Sequence, residues 1–358
     1  MLDIRIEKTK NPKAKPDFVN NPPEFGTVTT DHMFVMDYNP EQGWHDPRIV
    51  PYGPFEVEPI CMSFHYAQEI YEGMKAFKSK DGNPLLFRPD MNAKRFQRSA
   101  RRVMIPEIPV EDYLQAVYEF VKVEKDWIPT EPATSLYMRP VCFATQSSVG
   151  VEVSSEYKFF IVACPVKAYH TEFSSEDSCW VETEYSRASG GGTGGDKCGC
   201  NYANTLLPQT LAEEKGYVEV VFTDSVEHKW IGEISASNIM FVIDGKVVTP
   251  ELDGTILPGI TRDSILHLCR EWGIPCEERK ISVDELKETL KNGKCTEAMS
   301  LGTAVVIEPI GSFGFADEGR LTVGDGEVGP VSRRLYETIL AIQHGEEKGP
   351  EGWVVELK

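Results

Sequence analysis

The sequence predicts a two-domain α+β protein in which helices and strands are interspersed. Its 358 residues exceed what one hydrophobic core usually holds, since single cores stop growing near ~250–300 residues. Residues 91–104 form a basic, amphipathic run, and the apolar residues of 111–125 recur at helical spacing. Residues 239–243 and 246–249 flank Asp244-Gly245, which is a strong hairpin signal. Helices and an antiparallel sheet are therefore both expected.

Other elements follow from apolar spacing and from β-branched or aromatic content. They are a strand at 157–166, a helix at 203–215 ended by Gly216, a strand at 217–223, a helix at 260–272 and a C-terminal helix marked by Val331, Leu335, Ile339 and Ile342. The first forty residues are rich in proline and are expected to lie irregularly over a surface. The strand-rich pattern of the sequence ends between residues 166 and 180. We therefore expect an N-terminal domain at 1–170, a linker at 171–180 and a larger domain at 181–358.

Composition excludes several classes of partner. The formal net charge of −19 opposes binding to nucleic acid or to an anionic membrane. The longest apolar run, 159–166, is far shorter than the ~20 residues of a membrane helix. The N-terminus carries Asp3 and Glu7 and lacks the apolar region of a signal peptide. Nine cysteines without framework spacing indicate reduced thiols, so a cytoplasmic location is expected.

The stretch 190–202 holds the strongest candidate for chemistry, because five glycines lie in the seven residues before Lys197. Such a run allows close backbone approach to a flat ligand, although a flexible loop with a solvated lysine is the simplest alternative. A phosphate-binding P-loop does not fit, since Asp196 precedes the lysine and Cys198 follows it. No second pair of ligands accompanies Cys198 and Cys200, so no metal site is predicted.

Three later segments add weight to a function for Lys197. Glu233 places a carboxylate just ahead of a strand, and Thr261 opens a helix whose first N–H groups are suited to a phosphate. Thr303 and Ala304 lie in a small-residue turn with backbone donors. Each signal is weak alone. Together, in this order, they favour a cofactor site.

Five motifs resemble those of the branched-chain aminotransferases, which are fold-type IV enzymes that use pyridoxal 5′-phosphate. They are YEGMKAF (71–77), TSLYMRP (134–140), KCGCNY (197–202), LPGITR (257–262) and LGTA (301–304). The resemblance extends from about Phe25 to the C-terminal helix. It implies a smaller N-terminal α/β domain and a larger domain with a barrel-like sheet core.

The resemblance also implies roles for individual residues. Lys197 forms the Schiff base with the cofactor and then moves the substrate Cα proton. Glu233 pairs with the pyridinium nitrogen, and Tyr202 donates to the phenolate oxygen of the ring. The phosphate is held by four residues: Arg95, Ile260, Thr261 and Thr303.

Substrate recognition carries over in the same way. The Ala304 N–H receives the substrate α-carboxylate, and Arg139 helps to bind the γ-carboxylate of glutamate. Aromatic residues wall an apolar side-chain pocket: Phe25, Tyr66, Tyr71, Tyr137 and Tyr169. In the family, the residues that match Tyr66, Val149 and Val151 come from the other subunit, so a homodimer is expected.

The implied reaction is reversible amino transfer from L-leucine, L-isoleucine or L-valine to 2-oxoglutarate, giving branched 2-oxo acids and L-glutamate. A D-amino acid aminotransferase or an aminodeoxychorismate lyase is the alternative with the same fold. Two departures stand out. Val305, Val306 and Ile307 replace the Cys-x-x-Cys pair of the mammalian enzymes, and Ala236 replaces a threonine, so one contact near the carboxylate site is lost.

Overall fold

The computed structural model describes residues 1–167 and 173–358, which form two compact units. The first unit comprises Met1–Tyr169, Lys197–Gly199 and Ala341–Lys358, and the second comprises His170–Asp196 and Cys200–Leu340. Each unit contains one nine-stranded sheet together with helices. The α+β class predicted from the sequence is confirmed.

The strands, numbered along the chain, are β1 (Arg5–Ile6), β2 (His32–Asn39), β3 (Gly43–Pro51), β4 (Glu69–Tyr71), β5 (Met74–Lys78), β6 (Pro84–Phe87), β7 (Thr134–Ala144), β8 (Tyr157–Lys167), β9 (Asp177–Glu182), β10 (Glu219–Thr223), β11 (Ile231–Ile234), β12 (Asn238–Ile243), β13 (Lys246–Thr249), β14 (Cys276–Glu278), β15 (Cys295–Gly302), β16 (Val306–Phe315), β17 (Gly319–Thr322) and β18 (Val354–Glu356). The helices are α1 (Met62–Tyr66), α2 (Pro89–Arg102), α3 (Val110–Val123), α4 (Cys200–Ala203), α5 (Leu206–Glu214), α6 (Ile260–Glu271), α7 (Val283–Lys291) and α8 (Pro330–Gln343), with a 3-10 turn at Lys125–Trp127. Among the residues described, no helix is long and apolar enough to cross a bilayer.

The first sheet has the strand order β1-β3-β2-β8-β7-β5-β6-β18, and β4 pairs with β7. Helix α2 contributes Phe96 and helix α3 contributes Tyr113 to an aromatic cluster with Phe159 of β8, with ring centroids 5.1–5.8 Å apart. This cluster fixes the helices over one face of the sheet. The other face carries the side chains that alternate with the buried ones on β7, because successive residues of a strand point to opposite faces.

Strand β2 corrects the expectation that the first forty residues lie irregularly over a surface. Met33, Phe34, Val35 and Met36 are buried, and β2 pairs with both β3 and β8. The prolines of this region end at Pro23 before resuming at Pro40, so they leave β2 free of proline. A short apolar run enclosed on both sides belongs to an interior strand.

The second sheet follows the order β11-β10-β9-β16-β15-β12-β13-β14, and β17 pairs with β16. Apolar residues from β9, β12, β15 and β16 and from helix α7 share one core, with Phe241 and Phe313 at 5.9 Å between ring centroids. The sheet curls around this core as half of a barrel, in agreement with the expected barrel-like core.

Local signals in the second unit are confirmed closely. Asp244 and Gly245 both have positive φ, as a two-residue hairpin turn between β12 and β13 requires. The predicted helix at 203–215 begins later, at Leu206, which places Pro208 in its first turn. There a missing N–H costs little, because the first N–H groups of a helix lack intrahelical partners.

The compact units differ from the predicted division in two places. Residues 341–358 belong to the first unit, because β18 pairs with β6, and 197–199 join the same unit through pairing of Cys198 with Ile70. Apolar spacing alone does not reveal either long-range pairing. The linker at 171–180 stays a prediction.

Candidate active site

Lys197 is held against β4 at its backbone. Its carbonyl oxygen accepts a hydrogen bond from the Tyr71 N–H at 3.1 Å, and its own N–H donates to Ser99 Oγ at 2.9 Å. Cys198 continues the pairing with Ile70. The Lys197 amine lies 4.8 Å from the centroid of the Tyr71 ring. Strand pairing thus sets which way the lysine side chain points.

Arg139 lies among the aromatic residues predicted to line the substrate pocket. Its Nη2 donates to the Tyr137 hydroxyl at 3.0 Å, and its guanidinium carbon lies 4.5 Å from the centroid of the Tyr71 ring. Phe25 meets Tyr137 edge to face at 5.3 Å. The first unit therefore brings together four predicted substrate residues and the lysine predicted to carry the cofactor.

Arg95 is fixed by a buried carboxylate. Its Nε and Nη2 donate to the two oxygens of Glu72, each at 2.7 Å, and Asn92 Nδ2 adds a bond to Glu72 at 2.8 Å. Glu72 is fully buried and Arg95 nearly so. A bidentate pair of this kind sets both the position and the plane of the guanidinium.

Glu233 is the organising carboxylate of the second unit. Its oxygens accept bonds from Asn238 Nδ2 at 3.0 Å and from the Leu257 N–H at 3.1 Å. Arg187 Nη1 lies 2.7 Å from Glu233 Oε1, and both side chains are buried. The Arg187 guanidinium also lies 5.4 Å from the centroid of the Tyr202 ring. Arg187 thereby links the acid and the phenol that the family resemblance assigns to the cofactor ring.

The glycine run before Lys197 allows close backbone contact with the loop of Gly254 and Thr255. A Cβ on Gly194 would collide with the carbonyl oxygen of Thr255, and one on Gly195 would lie 2.9 Å from the carbonyl oxygen of Gly254. The Gly195 N–H donates to that same Gly254 oxygen at 2.9 Å. Two loops of the second unit therefore pack backbone to backbone, which only glycine permits.

Two turns supply backbone donors where a phosphate ligand is expected. Helix α6 begins at Ile260, with Gly259 in an extended conformation and without a side-chain cap, and Thr261 is buried in its first turn. Thr303 lies in the turn between β15 and β16, which ends at Val306 with a φ of 64°. A β-branched residue in this conformation is strained, and such strain clusters at functional sites.

The chain matches the amino-transferase class IV family over residues 69–313. It is also 45% identical to branched-chain-amino-acid aminotransferase 2 of Bacillus subtilis, over 99% of this chain and 97% of that protein. The chain belongs to the branched-chain-amino-acid aminotransferases. This confirms the family predicted from the five motifs. Such relationships do not favour the D-amino acid aminotransferase or the lyase alternative.

Solved structures of related aminotransferases have the same fold. The branched-chain enzyme of Escherichia coli aligns with a TM-score of 0.76 at 26% identity, over 92% of this chain and 99% of that chain. The enzyme of Thermobaculum terrenum, solved in its PLP form, aligns with a TM-score of 0.75 at 24% identity, over 91% of this chain and 98% of that chain. The second likeness shows the fold alone.

Some predicted aminotransferase residues lie apart from these groups or outside the described residues. Tyr66 donates to the Val149 carbonyl oxygen, and Tyr66, Val149 and Val151 are all exposed. Tyr169 lies outside the described residues. Of the two cysteines beside Lys197, Cys198 is buried and Cys200 is half-buried near Thr193 Oγ1.

Two residues of the site were missed from the sequence, Arg187 and Glu72. Arg187 stands ten residues before Lys197 in a polar stretch with no distinguishing pattern. Glu72 lies inside the YEGMKAF motif, between β4 and β5, where a single acid in an otherwise apolar stretch was the available signal. A buried acid requires a partner, and Arg95 lies in the basic helix predicted at 91–104.

Proposed function

We propose that this protein transfers the amino group of L-leucine, L-isoleucine or L-valine to 2-oxoglutarate, with pyridoxal 5′-phosphate as its cofactor. Membership of the family supports the reaction. The observation that carries it is the placement of the Lys197 amine beside Tyr71, on the side of the first sheet that also bears Arg139 and Tyr137. One site for an apolar and an anionic side chain needs such a mixture of aromatic walls and positive charge.

Pyridoxal 5′-phosphate, when bound, supplies an electron sink for the carbanion formed at the substrate Cα. We assign the covalent attachment and the Cα proton transfer to Lys197, whose backbone is held at both its N–H and its carbonyl. Fixed direction matters, because the same amine would serve both as the attachment point of the cofactor and as the base at the substrate Cα. The hydrogen bond to Ser99 and the pairing with β4 provide that direction.

Glu233 is proposed to hold the proton of the pyridine nitrogen. The donor set fits this role, because Arg187, Asn238 and the Leu257 N–H all favour the ionised carboxylate. Tyr202 is proposed to donate to the phenolate oxygen, and the Arg187 guanidinium lies over its ring, 5.4 Å from the centroid.

The phosphate ligands stay a proposal: Arg95, Ile260, Thr261 and Thr303. Their chemistry fits a phosphate, since a helix N-terminus offers oriented N–H groups and Arg95 offers a guanidinium fixed by Glu72. Ala304 is proposed to bind the substrate α-carboxylate through its N–H. Phe25, Tyr71, Tyr137 and Tyr169 are proposed to surround the substrate side chain.

A homodimer is proposed from the exposed apolar residues of one surface in the first unit. Phe64 is 63% exposed, Tyr66 39%, Val149 61% and Val151 86%. Large exposed apolar groups in one region typically mark an interface, and Tyr66 and Val149 are already joined by a hydrogen bond. We propose that Tyr66, Val149 and Val151 complete the substrate pocket of the other subunit. The nine cysteines, which lack the spacing of a disulfide framework, support the proposed cytoplasmic location.

A combined labelling and activity experiment tests the proposal. Protein supplied with cofactor and reduced with borohydride should carry a pyridoxyl group on the peptide of Lys197. Unreduced holoenzyme should aminate 2-oxoglutarate with L-leucine but not with D-alanine. Lys197→Ala should abolish turnover, whereas Lys215→Ala, which removes an exposed lysine, should not. Full activity of Lys197→Ala, or a label at another lysine, contradicts the assignment.

A further inference from the structure

The register of β5 on β7 places a second cation on the substrate face of the first sheet. Lys75 lies directly opposite Tyr137, and Tyr71 lies opposite Val141. Residues that face each other across antiparallel strands point to the same side, and so do residues two apart on one strand. Tyr71, Lys75, Tyr137 and Arg139 therefore share one face, which we call the tyrosine face.

The order of groups along the tyrosine face starts at the reactive amine. Lys197 Nζ lies 4.8 Å from the Tyr71 ring, and Arg139 lies 4.5 Å from Tyr71 and 5.4 Å from the Tyr137 ring. Lys75 follows, since it opposes Tyr137 and is diagonal to Arg139. Diagonal neighbours lie about 7–8 Å apart at the backbone, which is within reach of long side chains.

We propose that Lys75 is a second cation of the substrate pocket that binds, with Arg139, the distal carboxylate of the dicarboxylate substrate. This inference rests on the proposed function and extends it, because it names a specificity-determining residue beyond the predicted set. The far carboxylate of 2-oxoglutarate lies at the end of the substrate away from the carbonyl that reacts. Lys75 lies at the corresponding end of the tyrosine face, beyond Arg139 as counted from Lys197.

A lysine suits a pocket that must also accept an apolar side chain. Its four-carbon stem packs against apolar groups while the charge stays at its tip, and an ammonium in a buried setting gives up its proton more easily than a guanidinium. Burial lowers the pKa of Lys75 to about 8. The cation can thus be retained for a carboxylate and lost at modest cost when leucine occupies the pocket.

The charged and titratable groups around Lys75 come from several segments. Tyr137 and Arg139 face it from β7, and Tyr71 lies on the same face. His344, which follows α8, packs against Phe77 with ring centroids 4.7 Å apart, and its pKa is lowered by burial and by Lys75, while Glu346 opposes this shift.

Half-reactions with two 2-oxo acids test the inference. The holoenzyme is converted to its aminated form, and the rate of amino transfer is followed by absorbance with 2-oxoglutarate or with 4-methyl-2-oxopentanoate, which lacks the distal carboxylate. Lys75→Met should weaken kcat/KM for 2-oxoglutarate by about tenfold or more, the scale of one lost hydrogen bond to a charged group. The rate with 4-methyl-2-oxopentanoate should change by less than about threefold on the same scale. Lys75→Arg should restore use of 2-oxoglutarate.

A matched control and a pH profile separate this role from a structural one. Lys80→Met removes an exposed lysine from the turn after β5 and should leave both rates unchanged. In the unmodified enzyme the preference for 2-oxoglutarate over 4-methyl-2-oxopentanoate should fall as pH rises through about 8, and Lys75→Arg should remove this fall. Because the preference is a ratio of the rates with the two oxo acids, the titration of any group that affects both rates equally cancels out.

Three results overturn the inference while the proposed function stands. They are equal losses with both oxo acids in Lys75→Met, an unchanged preference for 2-oxoglutarate in that variant, and a flat preference between pH 7 and 9 in the unmodified enzyme. The last measurement needs no variant, so it decides even if Lys75→Met does not fold. Absence of any leucine-dependent transfer in the unmodified enzyme would instead contradict the proposed function.

Discussion

Arg187 Nη1 lies 2.7 Å from Glu233 Oε1, and each of these side chains is only 4% exposed. The two residues stand 46 positions apart and belong to different loops and strands of the second unit. Neither charge has ready access to water, so each charge is stabilised by the other. The pair therefore supports both the stability of the second unit and the ionised state of the proposed pyridine-binding acid.

Replacing Arg187 should cost far more than replacing an arginine of a surface pair. Arg187→Met leaves Glu233 buried without its cation, and loss of one partner from a buried pair costs about 3–5 kcal/mol. Arg101→Ala, in a pair that is 69% and 36% exposed, should cost less than about 1 kcal/mol. Urea unfolding of each cofactor-free variant measures its loss in the free energy of unfolding. Equal costs for the two variants would show that Arg187 does not stabilise Glu233.

The glycine run offers a prediction with an internal control. Gly194→Ala places a Cβ against the Thr255 carbonyl oxygen and against Ala188, whereas Gly190→Ala meets nothing within 4 Å. Forced contacts in packed regions typically cost about 1–3 kcal/mol. Thermal unfolding and cofactor titration should therefore show a loss for Gly194→Ala and almost none for Gly190→Ala. Similar behaviour of the two variants would mean that the loop is free to shift.

Much of the site could be predicted because its signals are local in the chain. Lys197 stands out by its glycines, and the hairpin at Asp244-Gly245 by its turn chemistry. Tyr137 and Arg139 lie two residues apart on β7, so they share one face once the strand is assigned. Motif resemblance then suggested roles that residue types alone do not determine, and these roles stay proposals.

The remaining features depend on pairings between distant segments. Glu72 meets Arg95 only because α2 packs against β4, and Lys75 lies opposite Tyr137 only through the register of β5 on β7. A strand register changes every facing pair when it shifts by one residue, and it is not readable from either strand alone. The same limit hides the pairing of β18 with β6, which brings residues 341–358 into the first unit.

The buried pair of Glu72 and Arg95 should show strong energetic coupling. Glu72→Gln leaves the buried Arg95 guanidinium without its carboxylate, and Arg95→Met leaves the buried Glu72 carboxylate without its guanidinium. Each single change should therefore lower the free energy of unfolding by about 3–5 kcal/mol. The double variant should cost clearly less than their sum, because it leaves neither charge buried alone. Urea unfolding of the four proteins without cofactor gives the coupling energy. Strict additivity would contradict a direct interaction between the two side chains.

The raised pKa of Glu308 predicts that the protein loses stability as the pH rises. Burial, and then the charge of Asp177, raise the pKa of this carboxyl from 4.5 to about 8. In that interval the folded protein keeps a proton that the unfolded chain releases, so the free energy of unfolding decreases as the pH increases. Its contribution is fully present below pH 4.5 and is lost as the pH passes through about 8.

Glu308→Gln should flatten this part of the pH profile, because the amide cannot ionise and resembles the protonated carboxyl in shape. Relative to the unmodified protein, the variant should gain stability between pH 5 and pH 8, by an amount that grows with pH up to about 1–3 kcal/mol, the desolvation cost of a buried polar group. Glu41→Gln, at an exposed carboxylate, serves as the control and should leave the profile unchanged. Urea unfolding at half-unit steps of pH measures the difference. Parallel profiles for Glu308→Gln and the unmodified protein would show that the Glu308 carboxyl is already ionised in the folded state at neutral pH.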